Sequence, residues 1–287
     1  MTVQIDTLPA LRLLLAEQRR QGKSIGLVPT MGNLHAGHVS LVTCAKAQCD
    51  FVITSIFVNP LQFGPNEDYA RYPRTLPADK TVLETADCDA VFTPAVAELY
   101  PAGLEQQTRI SVPHLSTLYC GKSRPGHFDG VCTIVCKLFN MSQPDVAFFG
   151  LKDFQQFFLI SRMVADLQLP LSLVGMPTIR EASGLAMSSR NGFLNADQRE
   201  QATAIFATLQ HIARLIRNGE RDFPQLERLA LGQLAAAGLR PDYFHVVDRT
   251  SLLPAHSQSL ELVLLTAAYA GSTRLIDNVT VEAPVHG

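Results

Sequence analysis

The chain reads as a doubly wound, parallel α/β sheet over residues 1–177, followed by a smaller α+β domain over residues 178–287. Three observations predict this. Short apolar runs rich in β-branched residues alternate with helical periodicity up to about residue 175, which is the pattern of strand–helix–strand units. Beyond Pro177 the texture changes to two long amphipathic stretches followed by strand-like runs. Hydrophobic residues make up 47% of the 287 residues and charged residues 17%, enough apolar material for a core in each domain.

The elements follow in order. A helix opens at Thr7 with Pro9 in its first turn, where a missing N–H is tolerated, and Leu11, Leu14 and Leu15 share one face. Residues 25–29 form a buried strand, followed by a Gly-containing loop and a helix to about Ala47. Residues 51–58 (FVITSIFV) have strand length and strand composition. Residues 90–93, 146–149 and 171–174 are further short strands. Between the last two, Phe157, Ile160, Val164 and Leu167 recur at helical spacing over residues 153–167. Strands joined through helices pair in parallel. In the second domain, Asn195 with Gln198 three residues on is a helix-start signal, and Ile205, Leu209, Ile212 and Ile216 line one stripe behind it. A second helix spans residues 223–237 and ends at Gly238. Strands follow at 243–247, at 260–267 and toward Ile276.

Several function classes are excluded. Twenty-four Lys and Arg against 26 Asp and Glu give a net charge of −2, without the concentrated positive face that nucleic acid demands. The longest uncharged stretch, residues 24–45, carries Pro29, Asn33, His35, His38 and three glycines, too polar to cross a membrane. The first residues lack a basic and an apolar region, so no secretory signal is expected. The six cysteines form no CxxC pair and are expected to be reduced and buried. The expectation is a cytoplasmic protein.

The chemistry concentrates in a few segments. PTMGNLHAGH (29–38) follows a strand and opens a helix, at the strand's carboxyl end where open α/β sheets bind ligands. A helix start offers unpaired N–H groups to an anion. His35 and His38, three apart, fall on one side of the first turn, and Gly37 lets a flat base or ribose approach. GLKDFQQ (150–156) occupies a similar position: Lys152 is placed to neutralise phosphate charge, and Asp153 to cap the helix, orient a ribose hydroxyl or hold Mg2+. MSSRN (187–191) behind Gly184 offers hydroxyls and a cation in a mobile loop that can clamp phosphate oxygens. Asn59 and Gln62 after the second strand suit hydroxyl and carboxylate groups, and Arg124 in a loop over 124–130 suits an anion. Taken singly, each also reads as ordinary structure: a Gly-rich turn, a capped helix, a serine-rich loop.

An HxGH motif with a later Met-Ser-x-Lys/Arg loop resembles the nucleotidyltransferase superfamily that includes class I aminoacyl-tRNA synthetases. The longer strings resemble one family over nearly the whole chain, the pantothenate synthetases (pantoate–β-alanine ligases). They are PTMGNLHAGH, SIFVNPLQFGPNEDYARYPRT (55–75), RPGHFDGV (124–131), GLKDFQQ, GLAMSSRNGFL (184–194) and STRLIDN (272–278). The resemblance implies a Rossmann-like first domain binding ATP and pantoate, a second domain carrying the MSSRN loop, and a homodimer. It implies an AMP-forming ligase of coenzyme A precursor biosynthesis, working through a pantoyl-adenylate with ATP as co-substrate and Mg2+. It implies ATP contacts at Met31, Gly32, Asn33, Leu34, His35, Ala36, Gly37 and His38, at Gly150, Leu151, Lys152 and Asp153, at Ile179, and at Met187, Ser188, Ser189 and Arg190. His38 is the implied proton donor, with His35, Lys152 and Arg190 supplying further charge. Gln62 and Gln156 are implied pantoate ligands, Gln62 also near β-alanine; Asn59 and Arg124 are the implied ligands of pantoate and phosphate. Two positions depart from the family: Leu151 stands where Glu or Gln is common, and Ala186 where the synthetases' loop has Lys. The alternatives are another adenylate-forming or nucleotidyl-transferring enzyme of that superfamily, such as a truncated aminoacyl-tRNA synthetase, and a catalytically dead nucleotide-binding or interaction protein. The first is disfavoured by the near-neutral charge and the lack of a basic tRNA-binding domain, and the second by the retained histidines, Lys152 and Arg190.

Overall fold

A computed structural model describes residues 1–65 and 67–284. Asn66, inside the string at 55–75, and residues 285–287 lie outside the described residues. The chain divides into two compact units, residues 1–151 with 156–177, and residues 152–155 with 178–287.

The first unit is built on six parallel strands, β1 (Val3–Ile5), β2 (Ile25–Thr30), β3 (Phe51–Ile56), β4 (Ala90–Phe92), β5 (Val146–Gly150) and β6 (Ser172–Met176), in the order β1-β4-β3-β2-β5-β6. The chain runs outward from β2 through β3 to β4, then returns to lay β5 and β6 on the other side of β2. This places a topological switch point between β2 and β5, and ligands of such sheets bind outside the carboxyl ends there. The helices are α1 (Leu8–Arg20), α2 (Ala36–Gln48), α3 (Leu76–Thr85), the single turns α4 (Val96–Leu99) and α5 (Cys120–Ser123), α6 (His127–Ser142) and α7 (Phe154–Asp166). Leu41, Val42 and Ala45 of α2 and Leu83 of α3 pack on Val28, Val52, Val91 and Phe148 of the sheet. α1 and α6 pack against β2 and each other. Strands covered on both faces lose their alternation, which is why residues 25–28 read as one apolar run and are all buried.

The Rossmann-like, doubly wound sheet is present as expected, with instructive differences. β1 is a three-residue edge strand, too short for any period to register. β3 stops at Ile56, two residues before the apolar run ends. Of the stretch expected as a loop at 124–130, residues 124–126 are a turn and residues 127–130 start α6, whose sixteen residues include ten buried ones. Asp153 closes a 3-10 turn, Leu151–Asp153, that leads directly into α7, which begins at Phe154.

In the second unit α8 (Ala196–Arg217) and α9 (Phe223–Ala236) pack on an antiparallel sheet of β7 (Arg240–Asp248), β8 (Glu261–Ala270) and β9 (Thr273–Glu282), in that order. The expected helix start is a capping box: the Asn195 side chain accepts from the Gln198 N–H at 2.9 Å, and that of Gln198 from the Asn195 N–H at 3.1 Å. Ile205, Leu209, Ile212 and Ile216 are buried in one core with Phe223, Leu226, Phe244, Leu262 and Leu264. The six cysteines are free thiols; Cys44 and Cys136 are only partly buried, and burial pushes the Cys132 thiol up to about 12.

Candidate active site

Beyond β2 the chain makes a tight left-handed turn, with Gly32 at φ +84° and Asn33 at +51°. A Cβ at Gly32 would stand 3.0 Å from Ile56 Cγ2 and 3.1 Å from Asp79 Oδ2, so the position favours glycine on both conformation and space. Asp79, from the first turn of α3 and only 2% exposed, organises the turn. It accepts the backbone N–H of Asn33 at 3.0 Å and of Leu34 at 2.8 Å, and the Thr75 hydroxyl at 3.2 Å. The N–H groups of Asn33 and Leu34 are thus already paired with the protein's own carboxylate. Asp79→Ala leaves both without an acceptor and is expected to cost about 2–4 kcal/mol, seen as a lowered midpoint in thermal or denaturant unfolding.

The two histidines cap α2. His35 is the N-cap, and its Nδ1 accepts the Gly37 N–H at 3.1 Å; His38 Nδ1 accepts the His35 N–H at 3.3 Å. A backbone N–H can only donate, so Nδ1 is the unprotonated nitrogen in both rings, and the neutral imidazoles carry their proton on Nε2. The ring centroids are 4.1 Å apart and the planes inclined by 44°. The sequence places both rings on one side of the turn, and the reciprocal cap fixes which nitrogen of each can donate onward.

Gln62 lies beyond β3, in the 3-10 turn Pro60–Gln62, and is 8% exposed. Its amide orientation follows from its neighbours. Asn59 Oδ1 accepts the Leu61 N–H at 3.3 Å and the Tyr100 hydroxyl at 2.7 Å, whose pKa burial pushes up so that it stays a donor. Asn59 Nδ2 donates to the Gly130 carbonyl at 3.1 Å and to Gln62 Oε1 at 3.2 Å. Gln62 must therefore turn its NH2 the other way, where its partner is the Met31 sulfur at 3.0 Å, a weak acceptor. Asn59, expected as a substrate ligand, has its full hydrogen-bonding capacity engaged and acts here as the orienter of Gln62. Arg124, expected as a phosphate ligand, points elsewhere too: Nε and Nη2 bind Glu67, Nη2 the Gln62 carbonyl and Nη1 His127. Gln156 lies half-buried in the first turn of α7. Leu151 packs over the bare backbone of Gly175, where a Cβ would meet its Cδ2 at 2.6 Å.

In the second unit, Lys152 Nζ stands 3.7 Å from Asp153 Oδ2, and its carbonyl accepts from Asn278 Nδ2 at 2.8 Å. Arg180 pairs with buried Asp277 at 2.6 and 2.9 Å and lies 3.7 Å above the Phe206 ring. The 187–191 segment leaves a hairpin that is tied by the Met187 N–H to the Ile179 carbonyl at 3.0 Å and by the Glu181 N–H to the Leu185 carbonyl at 2.8 Å. Ser188 caps the short turn Ser189–Phe193 by accepting the Arg190 N–H at 3.2 Å. Buried Asn191 binds Glu181, and Glu181 takes Arg199 with two contacts of 2.8 Å. Ile179 is partly exposed.

The first unit thus joins Met31, Asn59 and Gln62 through side-chain hydrogen bonds and sets His35 beside His38 at the start of α2, and the second places Lys152 and Ser188 along one cavity. Sequence reasoning missed Asp79, Tyr100, His127, Glu181 and Asn278. Two carry a signal, His127 in RPGHFDGV and Asn278 in STRLIDN. Among the described residues no group of three or more His, Cys, Asp or Glu could hold a metal. The donor set fits a Mg2+ carried mainly by phosphates and water, with Asp153 as a side chain able to touch it. No helix among the described residues is long and apolar enough to cross a membrane.

A family model described as pantoate-beta-alanine ligase matches residues 3–280. The chain belongs to the pantoate–β-alanine ligase family. The ligase is 54% identical over 275 residues to the pantothenate synthetase of Pseudomonas fluorescens Pf0-1, covering 96% of each chain. It is 55% identical over 280 residues to that of Hahella chejuensis, covering 98% of this chain and 99% of the relative. Among solved structures, the pantothenate synthetase of Thermus thermophilus superimposes with a TM-score of 0.90 at 41% identity, over 97% of this chain and 99% of that one. The Francisella tularensis pantoate-beta-alanine ligase, complexed with beta-gamma ATP and beta-alanine, does so with a TM-score of 0.82 at 34% identity, over 97% of each. The ligase accordingly joins pantoate to β-alanine.

Proposed function

We propose that the ligase works in two steps that together consume one ATP. A pantoate carboxylate oxygen attacks the α-phosphorus of ATP, and the bond to the bridging oxygen breaks, giving pantoyl-adenylate and pyrophosphate. The amine of β-alanine then attacks the acyl carbon, the bond to AMP breaks and the amine loses a proton, giving pantothenate and AMP. The observation that carries this reading is the paired-histidine cap of α2 at the sheet's switch point, with Nε2 of each ring set as the donor. The ATP and β-alanine in the Francisella relative support it.

A carboxylate becomes a good acyl donor only when its oxygen can leave, and adenylation supplies that leaving group. Bringing it to a polyanion makes the first step a matter of positioning and charge neutralisation. Each cation about 4 Å from a phosphate oxygen contributes on the order of 4 kcal/mol at an effective dielectric near 20. In this reading Met31–His38, Gly150–Asp153, Ile179 and Met187–Arg190 contact the nucleotide, with Lys152 and Arg190 neutralising charge. His38, supported by His35, donates a proton to the oxygen that leaves with pyrophosphate. Gln62 and Gln156 hold pantoate, Gln62 also facing β-alanine, and Asn59 orients Gln62. Bound with ATP, Mg2+ would neutralise phosphate charge, Asp153 being the side chain to touch it. Leu151 contributes through its backbone, so its departure from the family leaves activity intact. The free thiols suit a reducing cytoplasm, and a homodimer is the expected assembly.

The deciding experiment is ATP–pyrophosphate exchange with pantoate present and β-alanine absent. Pantoate-dependent exchange is expected; no exchange, with pantothenate forming once β-alanine is added, would overturn the free adenylate. Gln62→Ala is expected to raise the KM for pantoate about 10- to 100-fold, the loss of a hydrogen bond to a charged group, and to leave the KM for ATP unchanged. An equal rise in both would remove Gln62 from pantoate.

A further inference from the structure

The pair Arg124 and His127, at the entry to α6, is engaged with a single backbone atom. Arg124 Nη2 at 3.1 Å and His127 Nδ1 at 2.8 Å converge on the Gln62 carbonyl oxygen, and His127 Nε2 lies 2.9 Å from Arg124 Nη1. A carbonyl can only accept and a guanidinium can only donate. His127 is therefore the neutral imidazole with its proton on Nδ1, the opposite tautomer to His35 and His38. Glu67 closes on Arg124 from the other side, through Nε at 2.8 Å and through Nη2. The Arg124 and Glu67 side chains keep only 14% and 23% of their exposure, so the pair is well shielded from water.

The turn that this clamp grips does not hold itself. Its own backbone bonds, Gln62 N–H to the Asn59 carbonyl at 3.4 Å and Phe63 N–H to the Pro60 carbonyl at 3.3 Å, are long for such bonds. Asn59 fixes the side-chain end of Gln62, and Arg124 with His127 fixes its main-chain end. We propose that Arg124 and His127 are positioning residues that pin the Gln62 carbonyl and so aim its amide at the carboxylate substrate, without themselves touching substrate or nucleotide. This rests on the assignment of Gln62 to pantoate.

The test compares His127→Ala, His127→Asn and Arg124→Lys, each alone and in a Gln62→Ala background, by ATP–pyrophosphate exchange with pantoate and ATP varied separately. Wild-type exchange that depends on pantoate establishes the underlying reading, so its failure is visible before any variant is compared. His127→Ala is expected to raise the KM for pantoate about tenfold and leave the KM for ATP within twofold. His127→Asn, whose amide keeps a donor where Nδ1 stood, should recover most of that loss. In the Gln62→Ala background the His127 substitutions should have no further effect on pantoate, since the pinned group is gone. Arg124→Lys should likewise act on pantoate. A selective rise in the KM for ATP with Arg124→Lys would make Arg124 a phosphate ligand and overturn the proposal. So would additive effects in the double variants, or an unchanged pantoate KM in His127→Ala. Should His127→Ala fail to fold, His127→Asn and Arg124→Lys carry the same comparison.

Discussion

Replacing His38 with alanine is expected to lower turnover in ATP–pyrophosphate exchange at least about 100-fold, the loss that follows removal of one preorganised donor to developing charge. The ring is held with Nδ1 on the His35 N–H, which leaves Nε2 as the nitrogen that carries and can deliver a proton. The same substitution removes half of the reciprocal cap of α2, so stability should also fall, by about 1 kcal/mol. The two effects separate by measurement. Unfolding by heat or denaturant reads the cap, and exchange at saturating substrates reads the donor. Turnover within a few-fold of wild type, with the stability loss present, would leave His38 a structural cap and take it out of the mechanism.

Gly130→Ala should disable the carboxylate site while sparing nucleotide binding. A Cβ at Gly130 would fall 2.2 Å from the Leu61 carbonyl oxygen, 2.5 Å from its carbon and 2.7 Å from the Gln62 nitrogen. All three are backbone atoms, so no rotamer relieves the clash, and α6 must part from the turn beneath it. That breaks the Asn59 bond to the Gly130 carbonyl and pulls Arg124 and His127 off the Gln62 carbonyl. Overpacking of this kind costs typically about 1–3 kcal/mol, and a loss at or above that range is expected here. Pantoate-dependent exchange should fall more than about 100-fold, whereas ATP should still protect the variant against unfolding. Gly232→Ala is the control, in the middle of α9 with no atom within 4 Å of the added Cβ; it should raise stability by about 0.5–1 kcal/mol. Near-normal exchange in Gly130→Ala would mean that the turn shifts without harm and that its placement is not what orients Gln62.

How much of the site was legible depends on the distance between partners in the chain. The cap of α2 involves residues three apart, and the capping box at Asn195 likewise, so spacing suffices to find both. The strands covered by helices announce themselves as apolar runs. α6 is not read from the sequence, although ten of its sixteen residues are buried. Asp79 reaches residues more than forty positions upstream, Tyr100 reaches Asn59 across a similar gap, and Gly130 meets Asn59 across seventy-one positions. No window along the chain contains such pairs.

The amino-acid sequence by itself determined much of the inventory of this ligase: the strands after β1, the helices α1, α2, α7, α8 and α9, the strand–turn–helix with two histidines on one side, and the strings that carry the family's pattern. Only the tertiary structure decided which of those polar groups remain available for a ligand. Asn59, Arg124 and the N–H groups of residues 33 and 34 all qualify by residue type, yet partners brought in by other elements already engage them. Gln62, with the same kind of amide as Asn59, keeps its NH2 turned to a weak sulfur acceptor. Each polar group can make a fixed number of hydrogen bonds, and folding allots them between the protein and its ligands by proximity in space.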